Sequence, residues 1–215
     1  AFPLQLLDLA SQSGTRLFVN TGTSLPRDLN PYALTKAQLC DWGKLLTAQP
    51  GSTLGFINVR LEHMVGPGDD DSKFVTYVVQ RCLKGEPRLE LTAGEQERDF
   101  VDIDDVVTAF GTLLNHGLAE GWQGFHTYDV GSGQVITLRD LVEDIKELTA
   151  APTELQFGAR PYRPGEVMYS RADIAPLKAL GWEPQYSLKQ AIERTVTAII
   201  AVGQPNIPEL SEEIA

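Results

Sequence analysis

The chain has 215 residues, 42% hydrophobic and 22% charged, enough for one large or two small globular domains with a substantial core. A formal net charge of −11 and a pI near 4.7 argue against nucleic acid as a partner, because neutralising phosphates needs a basic surface. They leave room for a small anionic ligand gripped by a few arginines.

In chain order, the first predicted element is an amphipathic helix over about 3–12, followed by a strand over 15–21. Asn30 is a good N-cap and Pro31 suits the first helical position, so a helix is predicted over 31–48, ended by Gln49-Pro50-Gly51. Leu54 to Leu61 reads as a mostly apolar strand, and such a strand between helices marks a parallel sheet covered on both faces. Gly66 to Asp71 reads as a loop, with Ser72 expected to cap a helix running to Leu83. Short strands are predicted at 88–91 and 99–102, then a helix over 104–114, a strand over 125–130, and a helix over 138–148 capped by Thr137. The last hundred residues, with prolines at 152, 161, 164, 176 and 184, read as short elements. This alternation of strand and helix predicts an α/β protein.

Cys40 and Cys82 fall in helical stretches without metal-ligand spacing, so both are expected to be buried, reduced thiols of a cytoplasmic protein. No apolar run reaches membrane-spanning length and no basic-then-apolar leader opens the chain, so no membrane association is expected. Asp69 to Asp71 reads as a solvated loop, and no metal site is proposed. His116 and His126 have no partner identifiable from sequence, and Arg60 at a strand end could equally grip an anionic ligand or pair with Asp102 or Asp104, aspartates that suit helix caps.

The strongest chemical signal is Tyr32-x3-Lys36. Spacing i, i+4 sets both side chains on one helix face, and an ammonium beside a phenol favours phenolate. The preceding strand delivers the Thr21 hydroxyl at its C-terminal end, and Thr23 falls on the same face, so either hydroxyl could serve. A hydroxyl, a phenol and an ammonium beyond a strand end suit carbonyl reduction. Arg98 and Arg163 are the candidate grips for a diphosphate, since guanidinium matches phosphate geometry in two-point contact. A bland alternative for Arg98 is an ion pair with Glu95 or Asp99.

Taken together, Thr21, Tyr32-x3-Lys36, Asn58-Val59-Arg60, Gly66-Pro67-Gly68, Arg98-Asp99-Phe100, Arg163-Pro164-Gly165-Glu166 and Leu180-Gly181-Trp182 resemble the extended short-chain dehydrogenase/reductase (NAD-dependent epimerase/dehydratase) family, in family order. Within it, Asn20 to Leu25 and Arg60 to Met64 look most like the CDP-abequose/CDP-paratose synthase type, reductases of a CDP-4-keto-6-deoxyhexose. The resemblance implies the C-terminal part of a Rossmann-like doubly wound parallel sheet with a smaller mixed α/β substrate lobe. Residues 1–63 and 101–131 would form the nucleotide-binding domain, and 64–100 with 132–215 the lobe.

The resemblance also implies roles. Tyr32 would protonate the sugar C4 oxygen, with Thr21 donating a hydrogen bond to it, while Lys36 would hold the nicotinamide ribose. Tyr32, Lys36 and Leu61 would contact the cofactor, NADP or NAD. Thr23, His63, Arg98 and Arg163 would contact a nucleotide-sugar substrate. For Thr23 a local turn bond is the competing reading, and for His63 a packing role. Related dehydratases carry an Asp-Glu pair where this chain has Gly22-Thr23, so dehydration is not expected.

The Gly-rich cofactor loop of the family has no counterpart here. Gly117-x3-Gly121-x2-Gly124 has the wrong spacing and Gly131-Ser132-Gly133 is too short. The chain opens at Ala1-Phe2-Pro3 without Met, and the expectation is the back two-thirds of an enzyme. The main reading is thus an NAD(P)-dependent 4-ketoreductase. A 4-epimerase, or a non-catalytic nucleotide-sugar-binding fragment, are the alternatives. The helices around Leu4–Leu9 and Leu39–Leu46 usually pair across a dimer interface in this family, so a homodimer is expected.

Overall fold

A computed structural model describes residues 2–203. In chain order the elements are α1 (Phe2–Gln12), β1 (Leu17–Thr21), α2 (Pro31–Thr47), β2 (Gly55–Leu61), β3 (His63–Val65), α3 (Phe74–Leu83), β4 (Arg88–Leu91), β5 (Glu97–Arg98), β6 (Phe100–Asp102), α4 (Ile103–Ala119), β7 (Gly124–Val130), β8 (Ile136–Thr137), α5 (Leu138–Thr149), β9 (Glu154–Phe157), β10 (Tyr169–Ser170), α6 (Ala175–Ala179) and α7 (Leu188–Val202). The described residues separate into two compact units, one of residues 2–62, 105–133 and 172–183, the other of 63–104, 134–171 and 184–203.

The first unit is built on a three-stranded parallel sheet in the order β1-β2-β7. Phe18, Phe56 and Phe125 share one register line across it, and their rings stack at 5.5 and 5.4 Å. Leu7 of α1 and Leu46 of α2 bury against this ladder. Gly43 lets α2 come close, because a Cβ there would lie 2.8 Å from the Phe56 ring. On the opposite face, a Cβ at Gly117 of α4 would meet Leu17 at 2.9 Å and Ile57 at 3.4 Å. β2 is therefore covered on both sides, which is why it reads as an apolar run.

Residues 172–183, read from sequence as part of the second lobe, pack in the first unit. Ala172, Leu177 and Trp182 are buried there, and the Trp182 indole N–H donates to the Asp105 carbonyl at 3.2 Å and the Thr108 hydroxyl at 3.0 Å. His116, for which no partner was foreseen, bonds the Glu120 carboxylate at 2.8 Å and the Leu180 carbonyl at 3.1 Å. His126 bonds the Gln123 carbonyl at 2.9 Å, and its ring stacks on Trp122.

The second unit holds the parallel pairs β3–β6 and β4–β9 and a mixed sheet in the order β10-β5-β8. Helices α3, α5 and α7 contribute Val78, Val79, Leu141, Ile145, Ile192 and Val196 to its core. Thr137 caps α5 as its sequence predicts, accepting a hydrogen bond from Asp140 N–H. Ser72 does not cap α3. Lys73 holds that position, and the Asp70 carboxylate takes both the backbone N–H and the hydroxyl of Ser72. The 15-residue α7 was not anticipated, although Ser187 and Gln190 form a capping box at its start. Its Arg194 pairs with Asp102 and Asp104, the aspartates that were one alternative for Arg60; Arg60 pairs with Asp129 in the first unit.

Candidate functional site

The first unit carries Thr21, Thr23, Tyr32, Lys36 and Leu61. Asn30 caps α2, its side chain accepting from Ala33 N–H at 2.8 Å, with Pro31 opening the helix. That start places Tyr32 and Lys36 in the first two turns, with the Lys36 ammonium 5.6 Å from the centre of the Tyr32 ring. The same ammonium donates to the Thr21 carbonyl at 2.7 Å. Lys36 thus ties the start of α2 to the C-terminal end of β1. Tyr32 is 53% exposed.

Beneath this end of β1 runs a polar line that sequence reading did not resolve. Asn20 Nδ2 donates to Asn58 Oδ1 at 2.8 Å, with both residues buried, and the Thr127 hydroxyl donates to the Asn58 carbonyl at 3.2 Å. These residues share one register position on β1, β2 and β7. Buried amides need such partners, since an unsatisfied one costs about 1–3 kcal/mol. Gly22 sits directly against this pair. Its N–H donates to the Val59 carbonyl at 2.6 Å, and a Cβ there would lie 2.6 Å from Asn58 Oδ1. The Thr23 hydroxyl accepts from Leu25 N–H at 3.3 Å, the local turn bond expected as its competing role. The carbonyl of Leu61 accepts from Ser24 N–H at 3.3 Å, which joins the loop after β1 to the end of β2.

Cys40 follows Lys36 by one turn of α2 and receives a long contact from Asn20 Nδ2 at 3.9 Å. It is half-buried rather than buried, a correction to the sequence expectation; Cys82 is buried. Burial pushes both thiols above their ordinary values. Among the described residues, no group of three or more His, Cys, Asp and Glu could hold a metal ion, and no helix is long and apolar enough to cross a membrane.

The second unit carries His63, Arg98 and Arg163. His63 opens β3, and its ring lies 5.4 Å from that of Phe100 at a 53° tilt. Arg98 lies on β5, the middle strand of its sheet, and is only 7% exposed. Its guanidinium pairs with Glu166 at 2.8 Å and also donates to the Glu97 and Val167 carbonyls. Glu166 lies 68 positions away in sequence, so this pairing has no local sequence signal. Arg163 is exposed.

A profile of the NAD dependent epimerase/dehydratase family matches residues 1–131. CDP-abequose synthase of Salmonella typhimurium is 34% identical over 199 residues, covering 89% of this chain and 65% of that protein. CDP-abequose synthase of Salmonella muenchen is 29% identical over 201 residues, covering 91% of this chain and 67% of that protein. The chain therefore spans about two thirds of the length of these relatives. Among solved structures, MoeE5 in complex with UDP-glucuronic acid and NAD superposes with a TM-score of 0.82 at 22% identity, covering 93% of this chain and 70% of MoeE5. That likeness shows a Rossmann-like α/β fold. With a profile match over more than half its length, and with the Tyr32/Lys36 helix inside the matched region, the chain belongs to the NAD-dependent epimerase/dehydratase family.

Proposed function

We propose that the chain forms part of an NAD(P)-dependent nucleotide-sugar 4-ketoreductase acting on a CDP-4-keto-6-deoxyhexose. The observation that carries this reading is the Lys36 ammonium, bonded to the Thr21 carbonyl and lying beside the Tyr32 ring. The similarity to CDP-abequose synthases supports the substrate class.

A hydroxyl, a phenol and an ammonium form a donor set that fits a carbonyl oxygen and ribose hydroxyls, the nicotinamide end of a dinucleotide. When bound, that cofactor supplies the hydride. Tyr32 gives its proton to the sugar C4 oxygen, and the Thr21 hydroxyl donates a hydrogen bond to the same atom. An ammonium has three N–H donors, so Lys36 can hold a ribose hydroxyl while one donor stays on Thr21. Leu61, at the end of β2, is assigned to the cofactor, and Thr23 and His63 to the sugar. Arg98 and Arg163 are assigned to the diphosphate. Gly22 bears no carboxyl group for an elimination, and its packing against Asn58 leaves no room for one.

The test is NADPH oxidation by the full-length protein with a CDP-4-keto-6-deoxyhexose. Stoichiometric consumption is expected, and Tyr32→Phe should slow it by about 10²–10⁴-fold. Tightly bound oxidised NAD, with interconversion of C4 epimers and no net consumption, would instead identify a 4-epimerase, and epimerase is an activity named in the family's description.

A homodimer is part of the same proposal. Phe2, Leu6 and Leu9 leave an apolar stripe on α1, and Trp42 and Leu45 leave another on α2. Light scattering should give twice the chain mass for the parent protein, and Trp42→Glu with Leu45→Glu should halve it. A monomeric parent removes this part.

A further inference from the structure

The two candidate diphosphate arginines sit on segments fastened to each other within the second unit, and the fastening is a carboxylate. β10 pairs with β5, and Glu97 N–H donates to the Met168 carbonyl at 2.9 Å. Upstream, the Tyr162 hydroxyl donates to the Glu95 carboxylate at 3.1 Å and accepts from Glu95 N–H at 3.2 Å. Between these two anchors lies the turn Arg163-Pro164-Gly165-Glu166. It is closed by Glu166 N–H donating to the Arg163 carbonyl at 3.1 Å, with Gly165 at φ +76°. Proline second and a positive-φ glycine third are the marks of a type II turn, a stiff one. Glu166 therefore bonds Arg163 through its backbone and Arg98 through its side chain.

We propose that Glu166 is a positioning residue that makes Arg98 and Arg163 act as one anion-binding unit for the diphosphate of a nucleotide. The inference rests on the reading above that these arginines take the diphosphate. A carboxylate beside an anion site could have the opposite job, occupying Arg98 until phosphate displaces it. Burial decides between the two. Arg98 Nη2 reaches both Glu166 and the Val167 carbonyl, while Nη1 bonds the Glu97 carbonyl, so leaving Glu166 would strip several bonds from a buried guanidinium. A contact held in that way fixes geometry and does not exchange with ligand.

The two jobs predict opposite signs for Glu166→Gln. Removing a competing charge strengthens anion binding, whereas loosening a positioned pair weakens it. The experiment is calorimetric titration of the full-length protein with CDP. Arg163→Gln should weaken binding about tenfold, Glu166→Gln should weaken it comparably, and the double variant should lose little more than either alone. Gly165→Ala, which leaves the ion pair chemically intact but disfavours the positive φ, should also weaken binding. Thermal melts confirm that each variant is folded, and Gly165→Ala serves if Glu166→Gln is not. Unchanged or tighter binding by Glu166→Gln, with Arg163→Gln impaired, overturns this inference alone. Parent-like binding by Arg163→Gln overturns the diphosphate reading and the inference with it.

Discussion

Replacing Gly22 with alanine tests whether the strand end that carries Thr21 is held by packing against the buried asparagine pair. Gly22 has no positive φ, so alanine fits its backbone, and shrinking the unfolded ensemble alone would stabilise the protein by about 0.4–1 kcal/mol. Opposing this, the new Cβ would lie 2.6 Å from Asn58 Oδ1 and 3.0 Å from the Val59 carbonyl. Neither atom can step aside cheaply. Oδ1 accepts the Asn20 amide at 2.8 Å, and the Val59 carbonyl accepts Gly22 N–H itself at 2.6 Å. Overpacking of this kind costs about 1–3 kcal/mol, and a stretched buried hydrogen bond adds about 1 kcal/mol. The net expectation is a loss of about 1–3 kcal/mol. Urea unfolding followed by circular dichroism measures it, with an unchanged denaturant slope confirming that only stability moved. In an Asn58→Ala background the side-chain part of the clash is gone, so the cost of Gly22→Ala should shrink by about 1 kcal/mol. A neutral or stabilising Gly22→Ala, or an equal cost in both backgrounds, would refute the argument.

Three further outcomes follow from single contacts. Arg194→Ala leaves the fully buried Asp102 side chain without its ion-pair partner, and a loss of about 2–4 kcal/mol in thermal unfolding is expected, since a stranded buried charge is costly even when its partner was partly exposed. Hydrogen bonds from His116 and then Trp122 hold the Glu120 carboxyl below its ordinary value. A lowered folded value gives stability that is present above the unfolded carboxylate range and lost as pH falls through the folded value. Glu120→Gln should therefore melt below the parent at neutral pH and converge with it in acid; a constant gap at all pH values would count against the pairing. Trp182→Phe keeps the buried ring but removes the N–H that Asp105 and Thr108 share, for an expected loss of about 1–2 kcal/mol in urea unfolding.

The elements legible from sequence are those whose signals are local. Asn30 and Pro31 announce α2, and with it the Tyr32/Lys36 spacing, because capping needs only residues three apart. Thr137 announces α5 in the same way, and the apolar run of β2 announces a strand covered on both faces. The capping box at Ser187 was equally local, yet the prolines around it masked α7. The strands β8 and β10 could not be read, because two residues show no periodicity and exist as strands only through their pairing with β5.

Family membership was legible because ordered motifs survive without their three-dimensional context. The bonding of those motifs was not. Ser72 does not cap α3, whose N-cap position falls on Lys73 without a side-chain bond, and the N–H and hydroxyl of Ser72 both go to Asp70. Arg60 found Asp129, and Arg98 found Glu166, each across nearly seventy residues. By itself, the sequence determined the α/β class, the helix bearing Tyr32 and Lys36, and the family. Only tertiary structure decided that Lys36 closes onto Thr21, that Gly22 rests on Asn58, and that Glu166 binds Arg98 by its side chain and Arg163 through a turn. Helix caps and periodicity are set within one or two turns of chain, whereas buried amides and guanidinium groups are satisfied by whichever partner the fold brings to them.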